Sequence, residues 1–244
     1  MSMIFSRIKL FHDLNEALTP ENALLDLYQI TCKINKLTTR KSGWYLPGYT
    51  QEERLKNNAF DENGPTKYAI EDFKETYDEN SGFIVKSLSD GVDENNNSIL
   101  YMGEDKIHVN PVRLGKTNIS ISINLDKDKF NFQDIIELLK NSISIRNSPF
   151  MLVDTRGYLL KQKQVFPDRV YAGWMLYLPI EIDPTLVPMA EEIISISDKN
   201  DKKGSLIITT KDIFDIENQE HINKANDIEI CLRDLQILPL MTEL

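Results

Sequence analysis

The chain is organised around residues 165–179, which read Val165-Phe166-Pro167-Asp168-Arg169-Val170-Tyr171-Ala172-Gly173-Trp174-Met175-Leu176-Tyr177-Leu178-Pro179. This is the densest aromatic and apolar run in the sequence. Pro167 and Asp168 predict a turn at its start, because both residues are turn formers. The aromatic-rich residues 171–178 predict a β-strand that ends before Pro179. Both faces of this strand are apolar, which is typical of a strand covered on both sides.

Predicted strands and capped helices alternate along the rest of the chain. Strands are expected near residues 3–12, 82–87, 98–102, 106–111, 118–125, 149–153, 191–196 and 205–210. Helices are expected near residues 20–36, 132–145 and 218–234, with shorter ones that begin after Thr50 and Thr66. These elements predict an α+β fold, in which a mainly antiparallel sheet is flanked by several amphipathic helices.

The domain organisation is predicted to be simple. No flexible linker interrupts the sequence, so residues 1–244 are expected to form a single domain. A strand–helix–strand order occurs twice, over residues 3–46 and 118–153, and a Gly-Trp segment follows each helix. This order indicates a weak internal β-α-β duplication, with halves 1–116 and 117–244.

The charge of the chain limits its partners. The 244 residues carry a net charge of −10, with 28 Lys and Arg against 38 Asp and Glu. This balance argues against nucleic acids and anionic membranes, because both demand a basic protein surface. It suits a basic protein partner that is attracted at long range. The acids concentrate in residues 61–94 and 181–244, with net charges of −7 and −8. Ordinary solvated helix faces would give the same pattern, so both interpretations stay open.

Cysteine usage and hydropathy predict the compartment. Cys32 and Cys231 each lie within an apolar pattern, and both are expected to be buried free thiols. The first residues lack the apolar core of a signal peptide, and no apolar run approaches the roughly 18 residues of a membrane span. We therefore expect a cytoplasmic protein.

No pattern of catalytic or ligand-binding residues stands out. The glycines form no nucleotide-binding loop, and no serine lies in a Gly-x-Ser-x-Gly elbow. His12, His108 and His221 lack the spacing of zinc ligands. The sequence therefore predicts no catalytic, cofactor-binding or metal-binding residue. One function that the residues leave open is a small cytoplasmic hydrolase, which would use Asp, Glu or His side chains such as the pair Asp212 and Asp215.

Three groups of residues together carry a family resemblance. The first is Trp44-Tyr45-Leu46 with Ala59-Phe60-Asp61 and Gly64-Pro65-Thr66. The second and most specific is Val165-Phe166-Pro167-Asp168-Arg169 with Gly173-Trp174-Met175-Leu176-Tyr177-Leu178-Pro179. The third is Asn218, His221, Ala225-Asn226, Ile228-Glu229-Ile230, Leu232 and Leu238-Pro239. In these segments the chain resembles the immunity protein 52 family of bacterial polymorphic-toxin systems.

The resemblance implies a function in bacterial competition. Members of the family resemble small cytoplasmic α+β proteins that are encoded beside a toxin, often one delivered by type VI secretion. The usual toxin carries a restriction-endonuclease-like nuclease domain, and the immunity protein binds and neutralises it without being an enzyme. The recurrent residues of the family are expected to hold the scaffold, since buried aromatic rings remove large areas from water. In this sequence they are Trp44, Phe60, Phe166, Pro167, Asp168 and Trp174.

The implied partner gives the acidic segments a role. Nucleases grip DNA with basic clefts, and an acidic surface can occupy such a cleft. We therefore expect toxin contacts on two acidic faces, formed by Glu71, Asp72, Glu75, Asp78 and Glu79, and by Asp212, Asp215, Glu217 and Glu220. Allosteric or assembly blockade of the toxin, away from its active site, is the alternative mechanism. The sequence specifies no oligomeric state.

Overall fold

The computed structural model describes residues 3–14, 18–38, 43–77, 82–91, 95–105, 115–146, 150–155 and 157–244. Its strands are β1 (Met3–Leu14), β2 (Phe60–Asp61), β3 (Gly64–Pro65), β4 (Phe83–Ser89), β5 (Ser98–Glu104), β6 (Gly115–Asp126), β7 (Phe150–Thr155), β8 (Met175–Leu178), β9 (Glu192–Ser197) and β10 (Lys203–Ile208). Its α-helices are α1 (Pro20–Thr38), α2 (Gln51–Lys56), α3 (Lys67–Thr76), α4 (Phe132–Ser144) and α5 (Gln219–Asp234). Short 3₁₀ helices cover Pro184–Leu186 and Met241–Glu243.

Eight strands form one antiparallel sheet in the order β4-β5-β6-β1-β7-β8-β10-β9. β1 lies in the middle, because β6 pairs with one of its edges and β7 with the other. β2 and β3 make a separate small ribbon. The helices pack against the sheet and one another, so the predicted α+β fold with a mainly antiparallel sheet is confirmed.

Three helices cover what we call the first face of the sheet. Side chains alternate between the faces of a strand, and Ile8 and Leu10 of β1 are fully buried on this side. Their partners on β6, Ile121 and Ile119, are also fully buried. α1 lies between α3 and α4, α3 contacts β4, and α4 contacts β9. The amphipathic helices therefore close one complete side of the core.

Side-chain caps fix where these helices begin. Thr50 and Glu53 form the expected capping box at α2, and the Thr66 hydroxyl accepts a backbone N–H at the start of α3. Asn131 and Asn218 cap α4 and α5 with their side-chain oxygens. These hydrogen bonds confirm the predicted caps. Each cap supplies a local acceptor, which the first N–H groups of a helix need. None of the helices in the described part combines the length and apolarity that crossing a bilayer requires.

The second face of the sheet, opposite Ile8, is covered over only half its width. α5 and the segments 157–172 and 179–191 lie over β7, β8 and β10. The Glu229 carboxylate of α5 accepts the Ala172 N–H, and the Ile182 N–H donates to the hydroxyl of Ser205 on β10. Leu176, Leu178 and Ile207 are completely buried beneath this layer. We call this part of the second face, together with the layer over it, the covered half.

The remaining part of the second face, which we call the open half, is not covered by any such layer among the described residues. It consists of the second-face side chains of residues 83–89, 98–104, 116–122 and 7–13, on β4, β5, β6 and β1. These side chains are exposed or half-buried throughout. The same sheet therefore has a closed core on one side and a solvated surface on the other, a division that an antiparallel sheet tolerates.

The segment around Trp174 differs in part from the prediction. Its strand begins at Met175 and not at residue 171, because Gly173 has a positive φ of 53°, which is incompatible with a regular strand. Residues 171–178 are nevertheless buried on both sides, as expected. The turn at Pro167 and Asp168 is confirmed. The predicted strand 106–111 lies outside the described residues.

The two Gly-Trp segments belong to different kinds of structure. Tyr45, beside Trp44, makes only isolated bridges to Asn58 and Ser89. The Gly-Trp segment at residues 173–174, in contrast, leads directly into β8, and both β8 and the strand that follows α4, β7, are full members of the main sheet. Only the second of the two predicted β-α-β units therefore ends in a strand of that sheet.

The prediction of two buried thiols is wrong. Cys32 is exposed and Cys231 is half-buried, and both are free. On α1 the buried positions include Ile30, Thr31 and Ile34, so Cys32 falls on the solvent side of the same helical turn.

Candidate interaction surfaces

The open half is built from rows of side chains that run across the strands, and two of these rows continue onto β7, which belongs to the covered half. One row consists of Val85, Met102, Asn118, Phe11 and Phe150. The row on one side of it consists of Phe83, Glu104, Lys116 and Asp13. The row on the other side consists of Ser87, Leu100, Ser120, Lys9 and Leu152. Since neighbouring strands lie about 4.8 Å apart, adjacent members of a row contact one another.

Several apolar side chains in these rows face solvent. Phe83, Val85 and Leu100 are 47%, 44% and 38% exposed, and Phe11 and Met102 are half-buried. A single exposed apolar residue is ordinary, but these residues are neighbours on adjacent strands. A contiguous apolar patch with a polar rim is typical of a protein-interaction site.

A cavity of about 450 Å³ opens at one end of this patch, beside residues 243–244. Its described apolar walls are Phe11, Phe83, Met102, Phe150 and Leu244. Its described charged residues are Asp13, Glu104, Lys116 and Glu243. The cavity therefore combines aromatic walls with a rim on which acids outnumber bases, and its volume falls in the range of binding clefts.

The first predicted acidic face lies on the solvent side of α3. Glu71 and Glu75 are exposed there, and Glu71 is 3.6 Å from Lys67 in an ion pair between exposed side chains. Asp78 and Glu79 lie outside the described residues. Glu71 and Glu75 are thus the described members of this face that a partner reaches directly.

Asp72 has a different environment from its neighbours on α3. Its carboxylate pairs with the amine of Lys86, which is buried on β4 and lies 5.1 Å from the Phe73 ring centroid. Removing Asp72 would leave a buried ammonium without its counter-ion, which is costly. Asp72 therefore ties α3 to the sheet, whatever else it contacts.

The second predicted acidic face lies between β10 and the first turn of α5. Asp212 and Glu220 are exposed. Glu217 is exposed too and pairs with Lys161 at 2.5 Å, an attraction that lowers the pKa of Glu217. The Asp215 carboxylate accepts the Glu217 N–H at 3.0 Å. Local contacts thus shape this face, while two of its acids point freely into solvent.

The structure does not combine the two acidic faces into one surface. The face on α3 belongs to the layer on the first face of the sheet, beside α1 and β4. The other precedes α5 in the layer on the second face, where Phe214 packs against Tyr158 with ring centroids 5.6 Å apart. The two faces are therefore separate candidate surfaces for a partner.

Among the expected scaffold residues, both tryptophans are buried with their indole N–H groups satisfied. Trp44 donates to Asn35 Oδ1 at 2.9 Å, and Trp174 donates to the Thr210 carbonyl at 3.0 Å. Phe60 is buried with its ring centroid 5.5 Å from that of Tyr28.

The other three expected scaffold residues lie nearer the surface. Phe166 is half-buried, with the Arg233 guanidinium 4.8 Å from its ring centroid. Pro167 and Asp168 are exposed, although the Asp168 carbonyl accepts the Met241 N–H at 2.9 Å. This hydrogen bond connects the turn to the 3₁₀ helix near the cavity.

A buried carboxyl group lies on β7, at the boundary between the two halves. Asp154 accepts a hydrogen bond from the Tyr171 hydroxyl at 3.0 Å. Burial raises the pKa of Asp154 to about 6, although this hydrogen bond and the charges of Arg7 and Lys9 lower it. Asp154 and Arg7 also line a cavity of about 520 Å³. A carboxyl with a raised pKa beside a cavity is the pattern of a general acid or base.

A second buried carboxylate holds α5 in place. Glu229 accepts hydrogen bonds from the Tyr158 hydroxyl and the Val165 N–H at 2.8 Å each, and from the Ala172 N–H at 3.0 Å. Burial raises its pKa, and these three hydrogen bonds oppose that shift. Glu229 therefore organises the segment 157–172 around α5.

In the part of the chain that the structure describes, no group of three or more His, Cys, Asp and Glu side chains is placed to hold a metal ion. His12 is buried, and burial lowers its pKa to about 3, so its imidazole is neutral at pH 7. His221 Nδ1 accepts the Asp215 N–H at 2.9 Å. His108 lies outside the described residues.

The sequence reasoning missed the open half. Phe11 interrupts the alternation of β1, and Phe83 and Val85 place apolar residues on the same side of β4. A strand with apolar residues on both sides resembles a fully buried one. The interruption was thus the available signal, but periodicity alone does not tell a covered second face from an exposed one.

Comparison with known proteins gives a likeness in fold. No protein-family model and no curated protein matches the chain. Among solved structures, the Pseudomonas aeruginosa T6SS protein PA0821 is similar, with a TM-score of 0.58 and 10% sequence identity. The match covers 95% of this chain and 76% of that one. At this identity, the chain shares the overall fold of a T6SS protein.

Proposed function

We propose that this protein is an immunity protein that binds and neutralises a cognate bacterial toxin. The toxin is a restriction-endonuclease-like nuclease effector that is delivered by type VI secretion. The immunity protein binds this toxin in the cytoplasm. The observation that carries the proposal is the likeness in fold to a T6SS protein over 95% of the chain. The residues that resemble immunity protein 52, around Trp44, Trp174 and α5, support the same function.

The acidic surfaces supply a means of association with such a toxin. Glu75, Asp212 and Glu220 are exposed and have no ion-pair partner among the described residues. A nuclease carries a basic cleft for its substrate, and opposite charges accelerate encounter by about 10–10³-fold at low salt. The mechanism we favour is occlusion of that cleft by one acidic surface. Blockade of the toxin at another site is the alternative.

Co-expression tests the function directly. The nuclease toxin encoded by the neighbouring gene is expressed in a sensitive host with and without this protein. We expect growth only when both are present, and a stable complex when the purified proteins are mixed. Unrestored growth, together with the absence of a complex, would refute the proposal.

Charge reversal tests which acidic face takes part. The double variant Glu71→Lys/Glu75→Lys is compared with Asp212→Lys/Glu220→Lys, and the association rate with the toxin is measured at several salt concentrations. The variant altered on the face that contacts the toxin should associate about tenfold or more slowly than the wild type, and its association rate should lose most of its salt dependence. Equal, unchanged rates for both variants would exclude electrostatic occlusion and leave immunity by another surface.

A small hydrolase is the second candidate, favoured by the raised pKa of Asp154 beside its cavity. A hydrolase requires turnover of an ester, amide or phosphate substrate by the pure protein, abolished in Asp154→Asn. Neutralisation of the toxin by Asp154→Asn at the wild-type level would leave Asp154 without a part in the function.

A further inference from the structure

We propose that β9, at one edge of the main sheet, pairs with an extended segment of the toxin and so extends the sheet by one strand. The segment carries apolar side chains along its length and a basic residue at the end that lies beside the second acidic face. This inference rests on the proposed function, because the toxin supplies the segment. It adds an exchange of backbone hydrogen bonds to the contact that an acidic face makes.

β9 is the last strand in the order of the sheet. Among the described residues it pairs with β10 on one side and with no strand on the other. Ser195 is exposed, and Ile193 and Ile194 are half-buried, whereas most of β10 is buried. An edge strand presents a row of N–H and C=O groups with which another strand can pair.

The pairing with β10 shows which backbone groups of β9 point inward. The N–H and C=O groups of successive residues in a strand point alternately to its two edges. The Ile208 carbonyl of β10 accepts the Glu191 N–H at 2.8 Å, so Ile208 and, two residues before it, Leu206 point towards β9. Ile194 is the partner of Leu206. The backbone groups of Ile194 are therefore used inside the sheet.

The residues on either side of Ile194 point to the outer edge. The N–H and C=O groups of Ile193 and Ser195 form no hydrogen bond within the part of the chain that the structure describes. The next outward carbonyl, that of Ser197, accepts the Ser144 hydroxyl of α4 at 3.0 Å. The open part of the edge therefore consists of two residues with both of their backbone groups available.

The opposite edge of the sheet, β4, is better protected. Ser89 exchanges two backbone hydrogen bonds with Tyr45, at 2.8 and 3.0 Å, and the charged Lys86 is buried on the same strand. Covering segments and inward-pointing charges are devices by which proteins protect an edge from pairing. Residues 193–197 of β9 include neither a charged residue nor a proline. β9 is therefore the edge on which a further strand is accommodated most readily.

The side chains of β9 indicate the composition of the added segment. Side chains directly opposite each other on neighbouring strands lie about 4.5–5.5 Å apart and contact one another. Ile193 and Ile194 lie on opposite faces of the sheet, and both are half-buried. Apolar side chains opposite them would remove the rest of their surface from water on both faces. Exposed Ser195 suits a small or polar neighbour.

Charge specifies one end of the segment. At the start of β9, Glu191 pairs with Lys224 of α5 at 2.6 Å, and Glu192 pairs with Lys211 at 2.8 Å. Asp212 follows Lys211 directly, is exposed, and has no ion-pair partner among the described residues. The second acidic face thus lies at this end of β9. A basic residue that follows the paired part of the segment would reach it.

A second copy of this chain is a poorer partner for the same edge. Each copy carries a net charge of −10 and would bring its own acidic face to the contact. Like charges that meet across an interface oppose association, whereas a nuclease carries basic surface for its substrate. The toxin is therefore the occupant that the charges favour, and self-association is an outcome that the experiment detects.

Hydrogen exchange of single amides, followed by NMR, tests the pairing. In the free protein the N–H groups of Ile193 and Ser195 should exchange rapidly, and that of Ile194 slowly, because only Ile194 is bonded to β10. In the complex with the toxin, the two rapid amides should exchange about tenfold or more slowly. Rapid exchange of both amides in the complex would overturn the proposal, as would slow exchange of both in the free protein.

A proline on each edge provides a matched pair of variants. Ser195→Pro removes an outward N–H and leaves the hydrogen bonds to β10 in place, since proline lacks only the donor that is unused. It should weaken toxin binding by about tenfold or more. Ser87→Pro changes an equally exposed serine on β4, whose N–H also points outward because it lies two residues before Ser89. It should bind like the wild type, and circular dichroism melts establish that both variants are folded.

The remaining outcomes separate this proposal from the proposed function. A protein that forms no complex with the toxin and gives no protection would refute both. Neutralisation of the toxin by folded Ser195→Pro at wild-type affinity would refute the strand pairing and leave the immunity function in place. Sedimentation that shows a wild-type dimer, and a monomer for Ser195→Pro, would assign the edge to a second copy and overturn the proposal.

Discussion

Leu152 and Leu100 lie in the same row of the second face, separated only by Lys9 and Ser120. Leu152 lies in the covered half and is 1% exposed, whereas Leu100 lies in the open half and is 38% exposed. The two residues have the same side chain, the same secondary structure and the same face. The difference comes from the layer formed by α5 and the segments 157–172 and 179–191, which covers the half of the sheet that contains Leu152 and not the half that contains Leu100. Burial on a sheet is thus decided by the layer above it.

The two halves also use polar groups differently. In the covered half, Asp154 and Glu229 are buried, and each accepts hydrogen bonds from groups of the segment 157–172. In the open half, Asp13 and Lys116 lie at the rim of a cavity that solvent reaches. Buried polar groups fix one arrangement of the chain, whereas charges at a surface remain available to a partner.

The largest effect is expected from Trp174→Ala, directly before β8 of the covered half. Its indole is completely buried and its N–H is satisfied. Removal of the ring should lower the free energy of unfolding by about 3–5 kcal/mol. Chemical denaturation measures the loss. If stability were unchanged and toxin binding abolished, the covered half would itself be the interface.

The row that contains both leucines gives the sharpest comparison. Leu152→Ala should cost about 2–5 kcal/mol, because it removes a fully enclosed side chain and leaves a cavity. Leu100→Ala should cost less than about 1 kcal/mol, since part of its surface is already in water. Urea titration of the two variants checks this. Equal losses would mean that the open half is covered in solution.

The buried carboxylate of α5 is expected to have a smaller effect. Glu229→Ala leaves three donors without their acceptor and should lower stability by about 2–3 kcal/mol. Glu220→Ala, on the exposed first turn of the same helix, should change it by less than about 0.5 kcal/mol. Thermal denaturation compares the pair, and a loss at Glu229 as small as that at Glu220 would contradict its structural role.

The ionisation of Asp154 predicts a pH dependence at the boundary of the halves. Burial raises the pKa of Asp154 from 3.8 to about 6, so the folded state holds a proton that the unfolded state releases. The stabilisation from this group is present below its unfolded pKa and is lost as pH rises through its folded pKa. Asp154→Asn should therefore gain about 2 kcal/mol relative to the wild type between pH 4 and pH 6.

Denaturation of both proteins at a series of pH values measures this difference. Asparagine keeps an acceptor for the Tyr171 hydroxyl, so the comparison isolates the charge. Parallel stability curves for the two proteins would indicate that water reaches Asp154 and that the boundary is open.

Local signals predicted much of the fold. Thr50, Thr66, Asn131 and Asn218 mark helix starts, because a cap acts on N–H groups only two or three residues away. The alternation of residues 119–125 predicted the buried side of β6, because successive side chains of a strand point to opposite faces. Gly173 was harder to interpret, since its positive φ depends on how the surrounding segment is packed.

The candidate surfaces were less predictable than the elements that carry them. Composition indicated acidic faces, and Glu71, Glu75, Asp212 and Glu220 are indeed on the surface. It could not separate them from Asp72, whose partner Lys86 lies on a strand distant in sequence. The cavity is lined by residues from β1, β4, β5, β6, β7 and the segment 243–244, and no spacing in the sequence predicts that these residues lie together.

What the sequence by itself determined is most of the described helices and main-sheet strands, the core side of many of them and the acidic balance. These depend on side-chain periodicity, caps and charge, which act over a few residues. The tertiary structure alone decided that α5 covers β7, β8 and β10 and leaves β4, β5, β6 and β1 open. The reason is that the position of a covering layer depends on long-range hydrogen bonds and packing, such as those of Glu229 with Val165 and Ala172.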